Sequence, residues 1–220
     1  MKAILASGNL TQVNGGVESA EKMIGKSRKD ISIAIINEAA GVEFGDHRWA
    51  IEAMRELVDT FGGNIEIVHL LAINPEQVRA RCMAADMIYM LGGNTDWLRI
   101  VFDKTGFSKI LPEILKNKLY VGSSAGAMIL GHQPSYETQV KMYGEYYDFG
   151  VKNYLDLLDF SILPHLNDRG INNENLAIAE SENVDYPVYA ISDNAAVVVD
   201  DKEVFVIGNG YLKLLRGKVF

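Results

Sequence analysis

Cysteine is almost absent from this sequence of 220 residues, in which Cys82 is the single one. An internal disulfide and a thiol-rich zinc site both need more than one thiol, so both are excluded. Positive charge is also scarce: 21 Lys and Arg residues stand against 29 Asp and Glu residues, for a formal net charge of −8. No run of Lys or Arg forms the basic face that nucleic acid or an anionic membrane requires. We therefore expect no nucleic-acid partner and no membrane partner.

Long apolar runs are missing as well. The longest, such as residues 33–36 and 195–199, fall far short of the roughly 20 residues that a membrane span needs. Residues 1–6 are too short an apolar stretch for a signal peptide. The remaining composition, 48% apolar and 23% charged, is close to the average of globular proteins. We expect a soluble cytoplasmic protein with residues 1–220 in one domain, and the oligomeric state stays open, with a homodimer as one alternative.

Apolar strand-like runs alternate with longer amphipathic stretches up to about residue 130, a pattern that predicts βαβ units and a mostly parallel sheet covered on both faces. Residues 133–159 then contain five of the ten tyrosines and predict a substrate rim, with Tyr143, Tyr146 and Tyr147 supplying stacking and hydroxyls, or else a hairpin or lid packed on the sheet. Four short runs near the end predict a mixed or antiparallel sheet edge. The predicted strands are 3–7, 31–36, 65–70, 87–91, 119–122, 160–163, 188–191, 195–199, 204–206 and 212–215, and the predicted helices are 15–26, 46–61, one opened by Pro75, 94–104, 107–116 and 172–181.

The segment from Gly122 to Gly126 reads GSSAG and fits the pattern G-x-S-x-G between a strand and a helix. A nucleophilic serine at the centre of such a turn has a strained backbone, so the residues two before and two after it must be very small. The next helix directs its N-terminus at this serine, where free N–H groups can stabilise an oxyanion. The pattern favours Ser124 as a nucleophile over Ser124 as an ordinary helix cap.

A double glycine, Gly92-Gly93, follows another strand and precedes another helix. It allows the backbone to approach a ligand, and the Gly93 N–H can join the Ala125 N–H in an oxyanion hole. Taken alone, this segment is better explained as a tight turn in which Asn94 or Thr95 caps the helix.

A serine nucleophile needs a general base, and the sequence offers four histidines for it. His47 lies early in a helix, His69 comes too early in the chain to stand out, and His132 follows the serine helix and points away from its start. His165 ends an apolar strand-like run, where sites in open α/β sheets are found, so it is the favoured base.

The acid that orients this base is less sharply defined, because two aspartates are available. Asp168 is close in sequence, but an offset of three residues after a strand usually turns the side chain away. Asp193 follows the predicted strand 188–191, although turns favour acids for purely structural reasons. The residues alone leave the choice open.

Three segments, LGGNT at 91–95, YVGSSAGA at 120–127 and LPH at 163–165, together resemble the peptidase E and cyanophycinase family of serine peptidases, with weaker support from YAISDNA at 189–195. The resemblance covers nearly the whole chain. It implies a class I glutamine amidotransferase-like (flavodoxin-like) fold: a three-layer α/β sandwich with a mostly parallel central sheet, flanking helices and extra antiparallel strands at the C-terminal end. It also implies that Ser replaces the Cys nucleophile and that the catalytic order is Ser, His, acid.

By position, the resemblance implies that Ser124 is the nucleophile, His165 the base and Asp193 the orienting acid, with the Gly93 and Ala125 amides in the oxyanion hole. The implied activity is the hydrolysis of short peptides or related amides, as in a dipeptidase or aminopeptidase, through an acyl-enzyme. No metal and no cofactor is expected.

Two departures from the family concern the acid and the substrate. The family usually has a glutamate where this chain has Asp193, which is one methylene shorter. Its aspartyl dipeptidases also place an arginine in the helix after the histidine, and this chain has only Arg169 nearby, either as a substitute carboxylate clamp or as a surface partner of Asp168. Aspartyl specificity is therefore in doubt, and the candidate substrate contacts are Asn94, Arg169, Asn173 and Tyr143.

Two other functions remain as alternatives. One is a non-catalytic binding or regulatory relative that keeps the serine turn without a working triad. The other is an esterase-type enzyme with the α/β-hydrolase chain order, in which the acid precedes the histidine. That order nominates Asp156 or Asp159 as the acid.

Overall fold

The computed structural model describes residues 1–146, 149–168 and 173–216. Within these ranges the strands are β1 (Lys2–Ala6), β2 (Ile33–Ile36), β3 (Ile65–Ile67), β4 (Met87–Met90), β5 (Leu119–Ser123), β6 (Ser161–Leu163), β7 (Val188–Ile191), β8 (Ala195–Asp200), β9 (Glu203–Gly208) and β10 (Leu212–Leu215). The helices are α1 (Gly16–Ile24), α2 (Arg48–Phe61), α3 (Pro75–Ala84), α4 (Thr95–Thr105), α5 (Phe107–Asn117), α6 (Ala125–Met128), α7 (Tyr136–Thr138) and α8 (Glu174–Glu182).

Seven strands form a central sheet in the order β3-β2-β4-β5-β1-β8-β9. The first five are parallel to one another, and β8 and β9 add an antiparallel edge. The residues of β2, β4 and β5 are buried along their whole length, because helices cover both faces of a parallel sheet and leave no solvent side. Separate apolar clusters pack on the two faces. The predicted α/β sandwich with a mostly parallel central sheet is confirmed.

The strand order brings three loops of the parallel part together. Strands β4 and β1 flank β5, and parallel neighbours end at the same edge of a sheet. The turn after β4 holds Gly92 and Gly93, the turn after β5 holds Ser124, and Ser7 follows β1. The carboxyl edge of the sheet therefore gathers the chemistry that the sequence places at separate positions.

The strands near the C-terminus differ from the expectation of one sheet edge, since they divide between two sheets. β8 and β9 join the central sheet, while β7 and β10 join β6 in a second sheet of order β10-β7-β6. A third apolar cluster, which includes Leu163, Ala177 and Val188, packs helix α8 against this small sheet. The three residues 192–194 between β7 and β8 turn the chain from one sheet into the other.

The third strand is shorter than predicted. It ends at Ile67 rather than at residue 70, because the Leu70 N–H donates to the buried carboxylate of Glu38 at 2.5 Å instead of to a neighbouring strand. Such a side-chain acceptor replaces ladder pairing and ends the strand.

The tyrosine-rich segment 133–159 contains helix α7 and a π-helical turn, Gln139–Tyr143, and no strand in its described part. The hairpin that was one expectation is therefore wrong for those residues; Tyr147 lies outside the described residues. In the part of the chain that the structure describes, no helix combines the length and apolar character needed to cross a bilayer.

Candidate active site

Ser124 occupies a sharp turn between β5 and α6. Its backbone has φ 50° and ψ −113°, a region that costs a residue with a side chain on the order of 1–3 kcal/mol. Hydrogen bonds on both sides hold this conformation, since the Ser124 N–H donates to Ala6 O at 3.0 Å and Ser124 O accepts from the Ala127 N–H at 2.8 Å.

Glycines allow this turn to form, as the sequence predicts. A methyl group at Gly122 would lie 2.2 Å from Gly126 O, and one at Gly126 would lie 2.3 Å from Met90 O. Both distances are far below van der Waals contact with backbone atoms that cannot move aside. The requirement for very small residues two before and two after Ser124 is therefore steric.

His165 lies within hydrogen-bond distance of Ser124. It follows β6 after Pro164 and has a φ of 61°, which turns the imidazole toward the serine. Its Nε2 is 2.9 Å from Ser124 Oγ, and its Nδ1 is 2.5 Å from Asp193 Oδ1. The structure thus brings Ser124, His165 and Asp193 into one hydrogen-bonded series.

Asp193 reaches His165 from the turn between β7 and β8. The same Oδ1 accepts a hydrogen bond from Ser7 Oγ at 2.9 Å, and the Asp193 N–H donates to Asp168 Oδ2 at 2.7 Å. Asp168, the competing acid in the sequence, therefore contacts the Asp193 backbone and holds the turn.

Ser7 is a residue of the site that sequence reasoning missed. It is fully buried at the end of β1, where its Oγ donates to Asp193 and accepts from the His165 N–H at 2.7 Å. The one available signal was its place after the carboxyl end of the first strand, at the same sheet edge as Ser124.

The turn that follows His165 is held by two asparagines. Asn173 Nδ2 donates to His165 O at 3.0 Å, and Asn173 Oδ1 accepts from the Asn167 N–H at 2.8 Å. The side-chain amide of Asn173, a candidate substrate contact, is thus engaged in hydrogen bonds within this turn. Arg169, another candidate, lies outside the described residues.

The double glycine after β4 lies against the serine turn. A methyl group at Gly92 would lie 3.1 Å from Ser124 Cβ, and one at Gly93, whose φ is 131°, would lie 2.3 Å from Ala39 O. Within the described residues, the N–H groups of Gly93 and Ala125 donate no hydrogen bond. Two amides beside Ser124 are therefore available to an oxyanion.

Two further candidate substrate residues lie next to these loops. The Asn94 side chain accepts from the Trp97 N–H at 2.8 Å and caps α4. The Tyr143 ring stands edge-on to His165, with 6.5 Å between ring centroids. Tyr143 therefore borders His165, whereas the Asn94 side chain is engaged in its helix cap.

The remaining histidines and the alternative acids lie elsewhere. His132 Nδ1 is 2.9 Å from Asp156 Oδ1, and His132 Nε2 is 3.6 Å from Asp159 Oδ1. His47 bonds to Glu43 O. The two aspartates that an α/β-hydrolase order would nominate thus contact His132.

The single thiol is no rival nucleophile, since burial raises the pKa of Cys82 to about 12 and the thiolate is the reactive form. A metal would find one set of ligands in the described part of the chain: His165, Asp168 and Asp193 place one ligand atom each within 4.8 Å of one another. An ion bound there would compete with the hydrogen bond between His165 and Asp193.

Comparison with known sequences gives consistent matches. The family model described as Peptidase family S51 matches residues 3–207. An uncharacterized peptidase of Listeria monocytogenes is 29% identical over 174 residues, 79% of this chain and 84% of the relative. An uncharacterized peptidase of Pasteurella multocida is 25% identical over 179 residues, 81% of this chain and 86% of the relative.

Solved structures agree with these matches. The crystal structure of a candidate peptidase E protein from Listeria monocytogenes EGD-e superposes with a TM-score of 0.74 and 27% identity, over 94% of this chain and 98% of that chain. A peptidase from an acI-B1 actinobacterium superposes with a TM-score of 0.70 over 99% of this chain and 91% of that chain. Its identity of 18% makes it similar in fold alone.

Proposed function

We propose that this chain, which belongs to peptidase family S51 and is a serine-type peptidase, hydrolyses short peptides through Ser124, His165 and Asp193. The observation that best supports this triad is the continuous series from Ser124 Oγ to His165 Nε2, 2.9 Å, and from His165 Nδ1 to Asp193 Oδ1, 2.5 Å. Nucleophile, base and orienting acid within hydrogen-bond reach are the geometric signature of covalent catalysis.

In the first half of the reaction, Ser124 Oγ attacks the carbonyl carbon of the scissile amide while His165 Nε2 takes the hydroxyl proton. The carbonyl electrons move to oxygen, and the N–H groups of Gly93 and Ala125 receive the oxyanion. When the tetrahedral intermediate collapses, the C–N bond breaks and His165 gives its proton to the leaving amine. The product is an acyl ester on Ser124.

In the second half, a water molecule attacks this ester and His165 removes the proton of the water. The second tetrahedral intermediate then releases the carboxylic acid, and the proton returns to Ser124 Oγ. Asp193 stays ionised and holds Nδ1–H, so that Nε2 faces the serine and the imidazolium is stabilised. The tight turn at residues 192–194 brings the short aspartate side chain to this contact.

The first test compares Ser124→Ala with Ser123→Ala on a dipeptide library. We expect Ser124→Ala to lower kcat/KM by at least about 10⁴-fold, since removing one member of such a unit abolishes most of its action. Ser123 is the matched control, because its Oγ donates to Gly8 O at 2.9 Å and takes no part in the series.

A fluorophosphonate probe that labels serine nucleophiles provides a second readout of the same proposal. Labelling should occur in the wild type and in Ser123→Ala, be lost in Ser124→Ala, and persist in EDTA. Full peptidase activity in Ser124→Ala, or activity that EDTA removes, would contradict the mechanism.

Asp193→Asn and Asp159→Asn distinguish the two chain orders. We expect Asp193→Asn to lower kcat by about 10³- to 10⁴-fold through loss of the orienting carboxylate, and Asp159→Asn to leave kcat near the wild-type value. The reverse result would assign the acid to the α/β-hydrolase order.

A further inference from the structure

Glu145 is a buried acid that the proposed mechanism does not use. Only 9% of its surface is exposed. One carboxylate oxygen, Oε1, accepts from the Thr95 N–H at 3.3 Å, and the other, Oε2, is buried without a partner among the described residues. A buried carboxylate oxygen with no donor is costly, so this atom points to a group that the described part of the chain does not supply.

The groups that face Glu145 are acids and phenols. Asp96 on α4 and Glu43, which follows a 3₁₀ turn, are close enough to add to the effect of burial and raise the pKa of Glu145 to about 8. The phenols of Tyr143 and Tyr154 lie close enough to Glu145 for its charge to raise their pKa, and both hydroxyl oxygens are buried without a partner in the described residues. The two charged groups that raise the pKa of Glu145 are thus both acids.

This cluster lies beside the reacting groups. Thr95, which donates to Glu145, is two residues after Gly93, and its hydroxyl contacts Met128 of the serine helix, with 3.7 Å from Oγ1 to Sδ. On the other side, Tyr143 stands against the His165 imidazole. Glu145 therefore lies near the glycine loop on one side, through Thr95, and near Tyr143, which borders His165, on the other.

We propose that Glu145, with the Tyr143 hydroxyl, binds a cationic group of the substrate next to the scissile bond, either the free α-ammonium group or a basic side chain. This inference rests on the proposed function and names the substrate class of the same site. A pocket for an acidic residue needs a guanidinium or ammonium group, whereas the partners offered here are a carboxylate and phenol oxygens. An ammonium or guanidinium group supplies the donors that Glu145 Oε2 and Tyr143 Oη lack.

Binding of a cation has a consequence for pH. With no cation bound, Glu145 has Asp96, Glu43, Tyr143 and Tyr154 around it, and its raised pKa keeps it protonated at neutral pH. A bound cation favours the ionised form and lowers that pKa. Affinity for a cationic ligand should therefore increase as the pH rises toward about 8, while affinity for a neutral ligand of the same shape should not.

The experiment is titration calorimetry on the full chain carrying Ser124→Ala, which binds but does not turn over. The probes are norleucine amide (α-ammonium group only), Nα-acetyl-lysine amide (side-chain cation only) and Nα-acetyl-norleucine amide (neutral). Each is measured with Glu145 intact, with Glu145→Gln, and with Glu137→Gln. Glu137 is the matched control, because it lies on the same segment but is exposed and paired with Lys141.

We expect at least one cationic probe to bind about tenfold or more tightly than the neutral one, as a charged hydrogen bond in a buried site provides. Whichever cationic probe binds identifies the source of the charge. Glu145→Gln should remove this preference, and Glu137→Gln should keep it.

The inference is overturned if no cationic probe binds at millimolar concentration, if the neutral probe binds as well, or if Glu145→Gln weakens all three equally. The last result would assign Glu145 a structural role alone. Fluorophosphonate labelling of the Glu145→Gln chain with Ser124 restored separates the two proposals: loss of the preference with labelling intact concerns substrate recognition, whereas absence of labelling in the wild type concerns the nucleophile.

Discussion

Ser124 and His165 both have positive φ angles, 50° and 61°, a conformation that residues with a side chain rarely adopt. At His165 the surrounding bonds hold this conformation: its N–H donates to Ser7 Oγ, and its carbonyl accepts from Asn173. Ser7 also donates to Asp193. One buried hydroxyl thus contacts both the backbone of His165 and the carboxylate that is hydrogen-bonded to its ring.

From this arrangement we predict that Ser7→Ala lowers kcat by about 10- to 100-fold, the effect of losing a hydrogen bond to a charged group. KM should change little, because Ser7 is fully buried and contacts His165 and Asp193. Steady-state kinetics on the best dipeptide measures the two constants separately.

Ser123→Ala is the control for this loss of a buried hydroxyl. Ser123 also ends a strand at the same sheet edge, but its bond goes to the Gly8 carbonyl. If both variants lose stability to the same extent and Ser7→Ala keeps its kcat, Ser7 has no positioning role.

At the residue scale, the sequence indicated Ser124 and His165 but missed Ser7 and Glu145. The first two lie in local patterns, a G-x-S-x-G turn and a histidine at a strand end, whose steric and chemical requirements can be stated without a structure. Ser7 acts on Asp193, 186 positions away, and Glu145 meets Thr95 across 50 positions. Contacts of this range follow from the strand order, which a single sequence does not reveal.

At the scale of the elements, short segments around the site are held by side chains rather than by their own propensity. Helix α7 has three residues and continues into the π-helical turn that carries Tyr143, and helices this short are unstable alone. Glu180 of α8 anchors the start of this segment: its carboxylate accepts from Ser135 N–H at 3.0 Å, from Ser135 Oγ at 2.5 Å and from Thr138 Oγ1 at 2.6 Å.

We predict that Glu180→Ala releases this segment. Thr138 is buried, so its hydroxyl would lose its acceptor, and the free energy of unfolding should fall by about 1–3 kcal/mol. Hydrogen exchange at residues 136–143 should accelerate more than in the central sheet. Glu182→Ala, at the end of the same helix and exposed, is the control, and equal exchange in both variants would show that Glu180 is no anchor.

The elements also show where local patterns stop being sufficient. The strand 188–191 was predicted, and so was the strand after it, but their division between two sheets was not. Both are short and apolar, and nothing within them distinguishes a place beside β1 from a place beside β6. The turn at 192–194 makes that change of sheet, and it is also the turn that presents Asp193 to His165.

At the scale of the whole molecule, the parallel sheet could be predicted because its strands are buried on both faces and read as continuous apolar runs. The acidic balance of −8 gave no hint of how the charges are placed. Several carboxyl groups lie inside the fold, and burial raises the pKa of Glu38, Glu43 and Glu145. These groups connect the stability of the fold to pH.

Glu145 should dominate that connection, since its pKa rises from 4.5 to about 8. Between these two values the folded chain keeps a proton that the unfolded chain has released, so stability decreases as the pH rises through this range and the loss is complete above about pH 8. In the Glu145→Gln variant the side chain cannot ionise, so this loss of stability with rising pH does not occur. We therefore predict that the variant gains a few kcal/mol of unfolding free energy relative to wild type between about pH 5 and about pH 8.

Urea unfolding at about pH 5, 6.5 and 8 measures this difference. Glu38 and Glu43 shift both profiles alike, so the difference between them isolates Glu145. The pH profile of Glu137→Gln should be parallel to that of wild type over this range. Pairing with Lys141 lowers the pKa of Glu137, so this residue titrates below the range. Parallel profiles for wild type and Glu145→Gln would contradict the prediction, because they would mean that folding does not change the pKa of Glu145.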